Sequence, residues 1–282
     1  MSDPRSRNLI TAADLAARLD AGAPAVVLDV CDELAVAPAA RAFIPGARAT
    51  CLATHFSGPP TKAGGKRPLP AIEEFQAKAR GWGVDPDTLV VVYDDNAGAQ
   101  AGRAWWTFRW AGFDNVRLLD GGLGAWKAAG KPVASEPATA SRAGSVVLSP
   151  GNMPTIEADD AAALAREGVL LDARGRAAYV GAPAEADKPA TGHIPGAICA
   201  PSAMGVGADG CFKSADELRA AFAALGVGDG CKLGVYCGSG NAASHLLAAL
   251  AVAGVEAPLY VGSWSAWSAD PARPAAIGPE RD

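Results

Sequence analysis

The chain has 282 residues, half of them hydrophobic and 20% charged, with a formal net charge of −5. That composition is too apolar for a disordered chain, and the mild acidity argues against nucleic acid or an anionic membrane surface as a partner. At about 150 residues per domain, the length predicts two domains.

The segment Met1–Ile10 is polar and has no apolar h-region, so no signal peptide is expected. No apolar stretch reaches the roughly 18 residues of a membrane span. A cytoplasmic location with reduced cysteines follows as the expectation.

In chain order, Thr11 reads as the N-cap of an Ala/Leu helix with Asp14 in its first turn. Val26–Val30, Leu89–Tyr93 and Val116–Leu119 read as buried strands, and Ala71–Arg80 as an amphipathic helix between the first two. Trp105, Trp106 and Trp110 stand at helical spacing and read as packing residues. The Ser-, Ala-, Gly- and Pro-rich stretch 136–153 reads as a linker. Beyond it come strand-like Val169–Asp172, a helix over Ala215–Leu225, strand-like Leu233–Tyr236, a helix over Ala242–Val252 and strand-like Pro258–Val261. Alternating strands and helices with short buried strands predict an α/β fold built on mostly parallel sheets.

The chain also repeats itself. Val26-Val-Leu-Asp29 matches Val169-Leu-Leu-Asp172, Gly83-Val84 matches Gly226-Val227, and Tyr93 matches Tyr236, all at an offset of 143. Ile44-Pro-Gly-Ala47 recurs as Ile194-Pro-Gly-Ala197 at 150, and Gly121 and Trp126 recur as Gly262 and Trp267 at 141. One colinear series with a near-domain period implies two copies of one domain. The expected boundaries are 8–135, linker 136–153, and 154–282.

The chemistry concentrates in one loop. The strand ending Val235-Tyr236-Cys237 runs into Gly238-Ser239-Gly240-Asn241 and a helix. Small residues let successive N–H groups converge on one centre, and the helix N-terminus adds partial positive charge. Such a place favours an anion, and the thiolate is the nucleophilic form of cysteine. The matching place in the first copy, Asp94-Asp-Asn-Ala-Gly98, has no thiol, and its carboxylates would repel an anion. The second copy is therefore expected to be catalytic and the first inactive. Cys31, Cys51, Cys199, Cys211 and Cys231 read as structural or incidental.

Tyr236-Cys-Gly-Ser-Gly240 resembles the active loop of the 3-mercaptopyruvate sulfurtransferases within the rhodanese family. Gly192-His-Ile-Pro-Gly-Ala197, Leu171-Asp-Ala-Arg174, Leu119-Asp-Gly-Gly122 and Gly262-Ser-Trp-Ser-Ala-Trp267 resemble that family in the same order. The resemblance implies two tandem rhodanese-like domains, each a mostly parallel sheet flanked by helices. It implies a sulfurtransferase in which Cys237 takes sulfur from a small anionic donor, 3-mercaptopyruvate or thiosulfate. The persulfide would pass that sulfur to a thiol, such as thioredoxin or a small thiol, or to cyanide, with no metal or organic cofactor. Gly238, Gly240, Asn241, Ala242 and Ala243 complete the loop. Ser239 is read as a catalytic polar side chain that donates to the leaving group or the sulfur.

Departures from the family pattern bear on the donor. Asn241 and Ala242 replace a Val-Thr pair, so Asn241 either replaces the lost hydroxyl or caps the helix. Ala178 stands where relatives carry a carboxylate-binding arginine. Arg174, Arg176 and Lys188 are the candidate substitutes, with Arg174 also expected to pair with an acidic group. In the first copy, Phe43 and Arg67 replace two family histidines. His193 reads as structural, and His245, two helical turns past Cys237, lies too far for proton transfer. Phosphate-ester chemistry needs a Cys-x5-Arg pattern, and here Ala243 holds the sixth place after the cysteine. The remaining alternative is a sulfur carrier, or a degenerate binding module, that does not turn over.

Overall fold

The computed structural model describes residues 3–32, 41–182 and 191–281. In the first half the elements are α1 (Pro4–Asn8), β1 (Leu9–Ile10), α2 (Ala12–Asp20), β2 (Ala25–Cys31), β3 (Arg48–Cys51), α3 (Leu52–His55), α4 (Ile72–Gly81), β4 (Leu89–Tyr93), α5 (Ala101–Trp110), β5 (Val116–Leu119) and α6 (Gly122–Ala128). The second half contributes β6 (Thr155–Ile156), α7 (Ala158–Glu167), β7 (Val169–Asp172), α8 (Arg176–Val180), β8 (Ile198–Cys199), α9 (Ala215–Ala223), β9 (Leu233–Tyr236), α10 (Asn241–Val252), β10 (Leu259–Tyr260) and α11 (Ser263–Trp267).

These elements form two five-stranded sheets, ordered β1-β5-β4-β2-β3 and β6-β10-β9-β7-β8, with every pairing parallel. The orders are equivalent strand for strand, as the repeat requires. Central β4 and β9 are buried along their whole length, consistent with sheets covered on both faces. Thr11 caps α2 by accepting the Asp14 N–H, and Ser214 closes a capping box with Glu217 on α9.

Matched side chains make matched bonds. The Tyr93 hydroxyl accepts the Ile44 N–H at 3.0 Å, and Tyr236 accepts that of Ile194 at 3.1 Å. Trp126 Nε1 donates to Pro132 O and Trp267 Nε1 to Pro274 O, each at 2.8 Å. Trp105 and Trp106 are fully buried on α5 and Trp110 nearly so, as expected of packing residues.

The compact units are not contiguous halves. One comprises Met1–Gly58, Pro70–Met153 and Val206–Lys213; the other comprises Pro59–Leu69, Pro154–Gly205 and Ser214–Asp282. In the first unit, Asp120 accepts the Phe212 N–H at 2.7 Å, and Arg5 binds both Asp120 and the carbonyl of Phe212. In the second, Lys66 N donates to Ser265 Oγ at 3.0 Å. The stretch read as a linker lies along the first unit for much of its course. Val146 N donates to Val84 O, Arg80 Nε to Val146 O and Gln76 Oε1 accepts from Leu148 N, with Val146 and Leu148 buried.

Among the described residues, no helix is long and apolar enough to cross a membrane.

Candidate active site

Cys237 follows β9 directly and is 2% exposed. Gly240 sits at φ +89 as the N-cap of α10, a conformation glycine adopts without strain, and it turns its N–H back onto Cys237 Sγ at 3.1 Å. The N–H groups of Asn241, Ala242 and Ala243 open α10 with no intrahelical partner, and Ser244 N is the first to close a helical bond, onto Gly240 O at 3.2 Å. Ser239 is half-exposed beside them. The loop thus brings together Cys237, Gly238, Ser239, Gly240, Asn241, Ala242 and Ala243.

The backbone of Cys237 is held on both sides. Its N–H donates to Ser263 Oγ at 3.3 Å, and its carbonyl accepts Trp264 N at 2.9 Å. Gly238 O accepts Ser265 N at 2.9 Å. The segment Pro59–Leu69 adds a further layer, since Gly65 packs so closely on Gly262 and Ser265 that a Cβ there would meet Gly262 O at 2.5 Å. From the sequence, Ser263 stood out only within the Gly262–Trp267 motif and this segment only through Arg67, with no contact of either to the cysteine loop foreseen. The signal for Ser263 was present in the repeat, where Gly122 stands at the matching place.

Asn241 is not the cap. Gly240 holds that position without a side-chain bond, and Asn241 is the first helical residue, its buried Oδ1 lacking a partner among the described residues.

Arg174 pairs with an acid, as its motif suggested. Its Nε lies 2.9 and 3.1 Å from the two Asp172 oxygens, and Nη2 reaches both Asp172 and, at 2.7 Å, Gly192 O. The guanidinium also lies over the Trp264 ring, 4.8 Å from its centroid. Arg176 is exposed at the start of α8, as is Ala178 two residues on; Lys188 lies outside the described residues. His193 is fully buried, stacked on Tyr179 at 3.8 Å with Nδ1 2.9 Å from Tyr179 O, a structural setting.

Burial pushes the thiols of Cys31 and Cys199 up, and that of Cys211 up to about 11, away from the reactive thiolate form. All six cysteines are free.

The first-copy loop is differently filled. Asp94 is fully buried, and its carboxylate accepts four backbone N–H groups: Asn96 and Gly98 at 2.8 Å on Oδ1, Gln100 at 2.7 Å and Ala101 at 2.8 Å on Oδ2. Its carbonyl accepts Leu123 N at 2.9 Å, just as Cys237 O accepts Trp264 N. The carboxylate expected to repel an anion is itself the anion this loop holds.

A rhodanese-like domain model matches residues 11–129 and again 157–270. The chain belongs to the rhodanese family. Across 283 residues the chain is 41% identical to SseB of Mycobacterium tuberculosis, named as a thiosulfate sulfurtransferase, covering 97% of this chain and 98% of that one. It is 42% identical over 285 residues to a Pseudomonas aeruginosa protein assigned as a 3-mercaptopyruvate sulfurtransferase, covering 97% and 99%. Its fold matches the solved 3-mercaptopyruvate sulfurtransferase of Leishmania major with a TM-score of 0.78 at 23% identity, over 94% of this chain and 75% of that one. With such relatives along nearly its full length, the protein is a sulfurtransferase.

Proposed function

We propose that this sulfurtransferase moves one sulfur atom from a small anionic donor, 3-mercaptopyruvate or thiosulfate, through a persulfide on Cys237 to a thiol or cyanide. The observation that carries this reading is the pair of matched loops. Where the first copy places Asp94, its loop turns four N–H groups onto the side-chain carboxylate. The second copy offers a nucleophile at that place, and its opening helical N–H groups are left for the charge that develops on sulfur.

In the first step the Cys237 thiolate attacks the donor's outer sulfur. A new S–S bond forms as the donor's C–S or S–S bond breaks. Pyruvate enolate or sulfite leaves with the bonding pair, and the enolate is then protonated. Ser239, half-exposed and two residues past the cysteine, donates to that leaving group. In the second step an acceptor thiolate attacks the outer persulfide sulfur and returns Cys237 as thiolate. No metal or organic cofactor enters either step.

The neutral loop favours mercaptopyruvate over thiosulfate. With Arg174 bound to Asp172 and Ala178 in the arginine's place, the donor's charge draws on other cations. Lys62, Lys66 and Arg67 stand on Pro59–Leu69, a segment with no acidic residue that packs against Gly262 and Ser265. Arg176 and Lys188 are the further candidates.

Intact-mass measurement after incubation with each donor tests the proposal. One added sulfur on the parent, none on Cys237→Ser, and its removal by a thiol is the expected result. No sulfur on Cys237 from either donor overturns it, and loading without release to thiol or cyanide would identify a carrier instead.

A further inference from the structure

Ser263 has a positive φ of +52, one of two non-glycine residues that do among the described residues. Only glycine adopts such a backbone freely, and other residues keep it where the surrounding structure demands it. The repeat shows what the backbone alone requires. Gly122, the matched residue, has φ +57, and the residue after each donates to the matched carbonyl, Leu123 N to Asp94 O and Trp264 N to Cys237 O. The first copy meets the same turn with glycine, and a Cβ on Gly122 would come within 2.5 Å of Asp94 O. The second copy keeps a serine in an unfavourable conformation.

The serine's side chain accounts for the difference. It is fully buried. Its Oγ donates to Tyr260 O at 2.8 Å and accepts the Cys237 N–H at 3.3 Å, so one hydroxyl ties the end of β10 to the peptide carrying the candidate nucleophile. Among the described residues, Sγ accepts one hydrogen bond, from the Gly240 N–H. The direction in which Sγ points therefore depends on how firmly the Cys237 backbone is fixed.

We infer that Ser263 is a positioning residue for sulfur transfer, holding the Cys237 N–H so that Sγ faces the donor's outer sulfur. The inference rests on the Cys237 reading above. Ser263 does not touch the reacting atoms, and its effect falls on the rate of attack rather than on donor binding.

The test compares the parent, Ser263→Gly, Ser263→Thr and Cys237→Ser in single-turnover sulfur loading, followed by intact mass across donor concentrations. Glycine fits the backbone, as the first copy shows, and removes the hydroxymethyl side chain with both of its hydrogen bonds. Ser263→Gly is expected to load sulfur about tenfold more slowly with the half-saturating donor concentration unchanged. Ser263→Thr restores the oxygen and recovers part of the rate. Loading of Ser263→Gly at the parental rate, or a loss confined to donor affinity, overturns the inference while leaving Cys237 in place. A parent that loads no more sulfur than Cys237→Ser overturns the Cys237 reading, and this inference with it.

Discussion

Replacing Asp94 with alanine tests the self-filled loop most directly. The substitution removes an acceptor of four backbone N–H bonds in a site without solvent exposure. Hydrogen bonds to a charged group are worth about 1.5–3 kcal/mol each, and their effects overlap when they share one side chain. Water can enter the space left behind and recover part of the loss. Together these place the cost of Asp94→Ala at about 3–5 kcal/mol, within the 5–15 kcal/mol of a folded domain, so the protein still folds but with a clear deficit. Asp94→Asn keeps the shape and one oxygen. Its amide NH2 would face donors on one side, costing about 2–4 kcal/mol.

Urea unfolding followed by tryptophan fluorescence reads both losses as lower midpoints. The decisive arm adds sulfate or phosphate. Asp94→Ala leaves converged N–H groups without their anion, so a small oxyanion should bind there and raise the midpoint. At a hundred times its Kd the gain would be about 2.7 kcal/mol, beyond whatever general salt effect the parent shows. Losses under about 1 kcal/mol in both variants, with parental anion response, would refute the view that the Asp94 carboxylate organises this loop.

Arg174→Ala leaves the Asp172 carboxylate, which has no solvent exposure, without its cation; a loss of about 3–5 kcal/mol by urea unfolding is expected, with a smaller loss for Arg174→Lys. Ala178→Arg adds a guanidinium on exposed α8; stability should stay within about 0.5 kcal/mol of the parent while kcat/KM for mercaptopyruvate rises about tenfold. An unchanged kcat/KM would place the donor's carboxylate elsewhere. Burial, reinforced by Lys78, holds His55 below the ordinary histidine range, and its Nδ1 accepts the Cys51 N–H at 2.8 Å. The unfolded chain therefore takes up this proton first as pH falls. The contribution of His55 is complete above about pH 6.5 and is lost as pH drops through the folded-state value, so Tm should decline more steeply below pH 6.5 in the parent than in His55→Asn.

The sequence carried the central strands because each is a short, mostly apolar run, interrupted only by Arg117 and ended by Asp172: Leu89–Tyr93, Val116–Leu119, Val169–Asp172 and Leu233–Tyr236 match the observed bounds. It did not reveal β1, β6 and β8, two residues each, or β3, whose Arg48-Ala-Thr-Cys51 has no apolar run. Those strands exist because a neighbouring strand offers an edge, which local pattern cannot record. The Arg174–Asp172 pair was legible because its partners lie two residues apart. The packing of Pro59–Leu69 on Gly262 and Ser265 was not, since it joins residues some two hundred positions apart. The Asp94 carboxylate was visible, but its direction was not: charge alone suggested repulsion, whereas the turn folds four donors onto it.

The two loops face opposite structural demands. A loop whose own side chain satisfies its N–H groups is braced from within, and Asp94 does this in the first copy. A loop that keeps those groups for a ligand loses that brace and needs support from outside. The second copy supplies it through Ser263 Oγ on Cys237 N, Trp264 N on Cys237 O and Ser265 N on Gly238 O, with Lys66 N bonded in turn to Ser265 Oγ. On this view Cys237→Ser should cost far less stability than Asp94→Ala, although Cys237 lies at the centre of the proposed chemistry. Its sulfur accepts one N–H where the carboxylate accepts four, and the bonds that hold its loop are made by residues 263–265 to the backbone, which a side-chain change leaves intact.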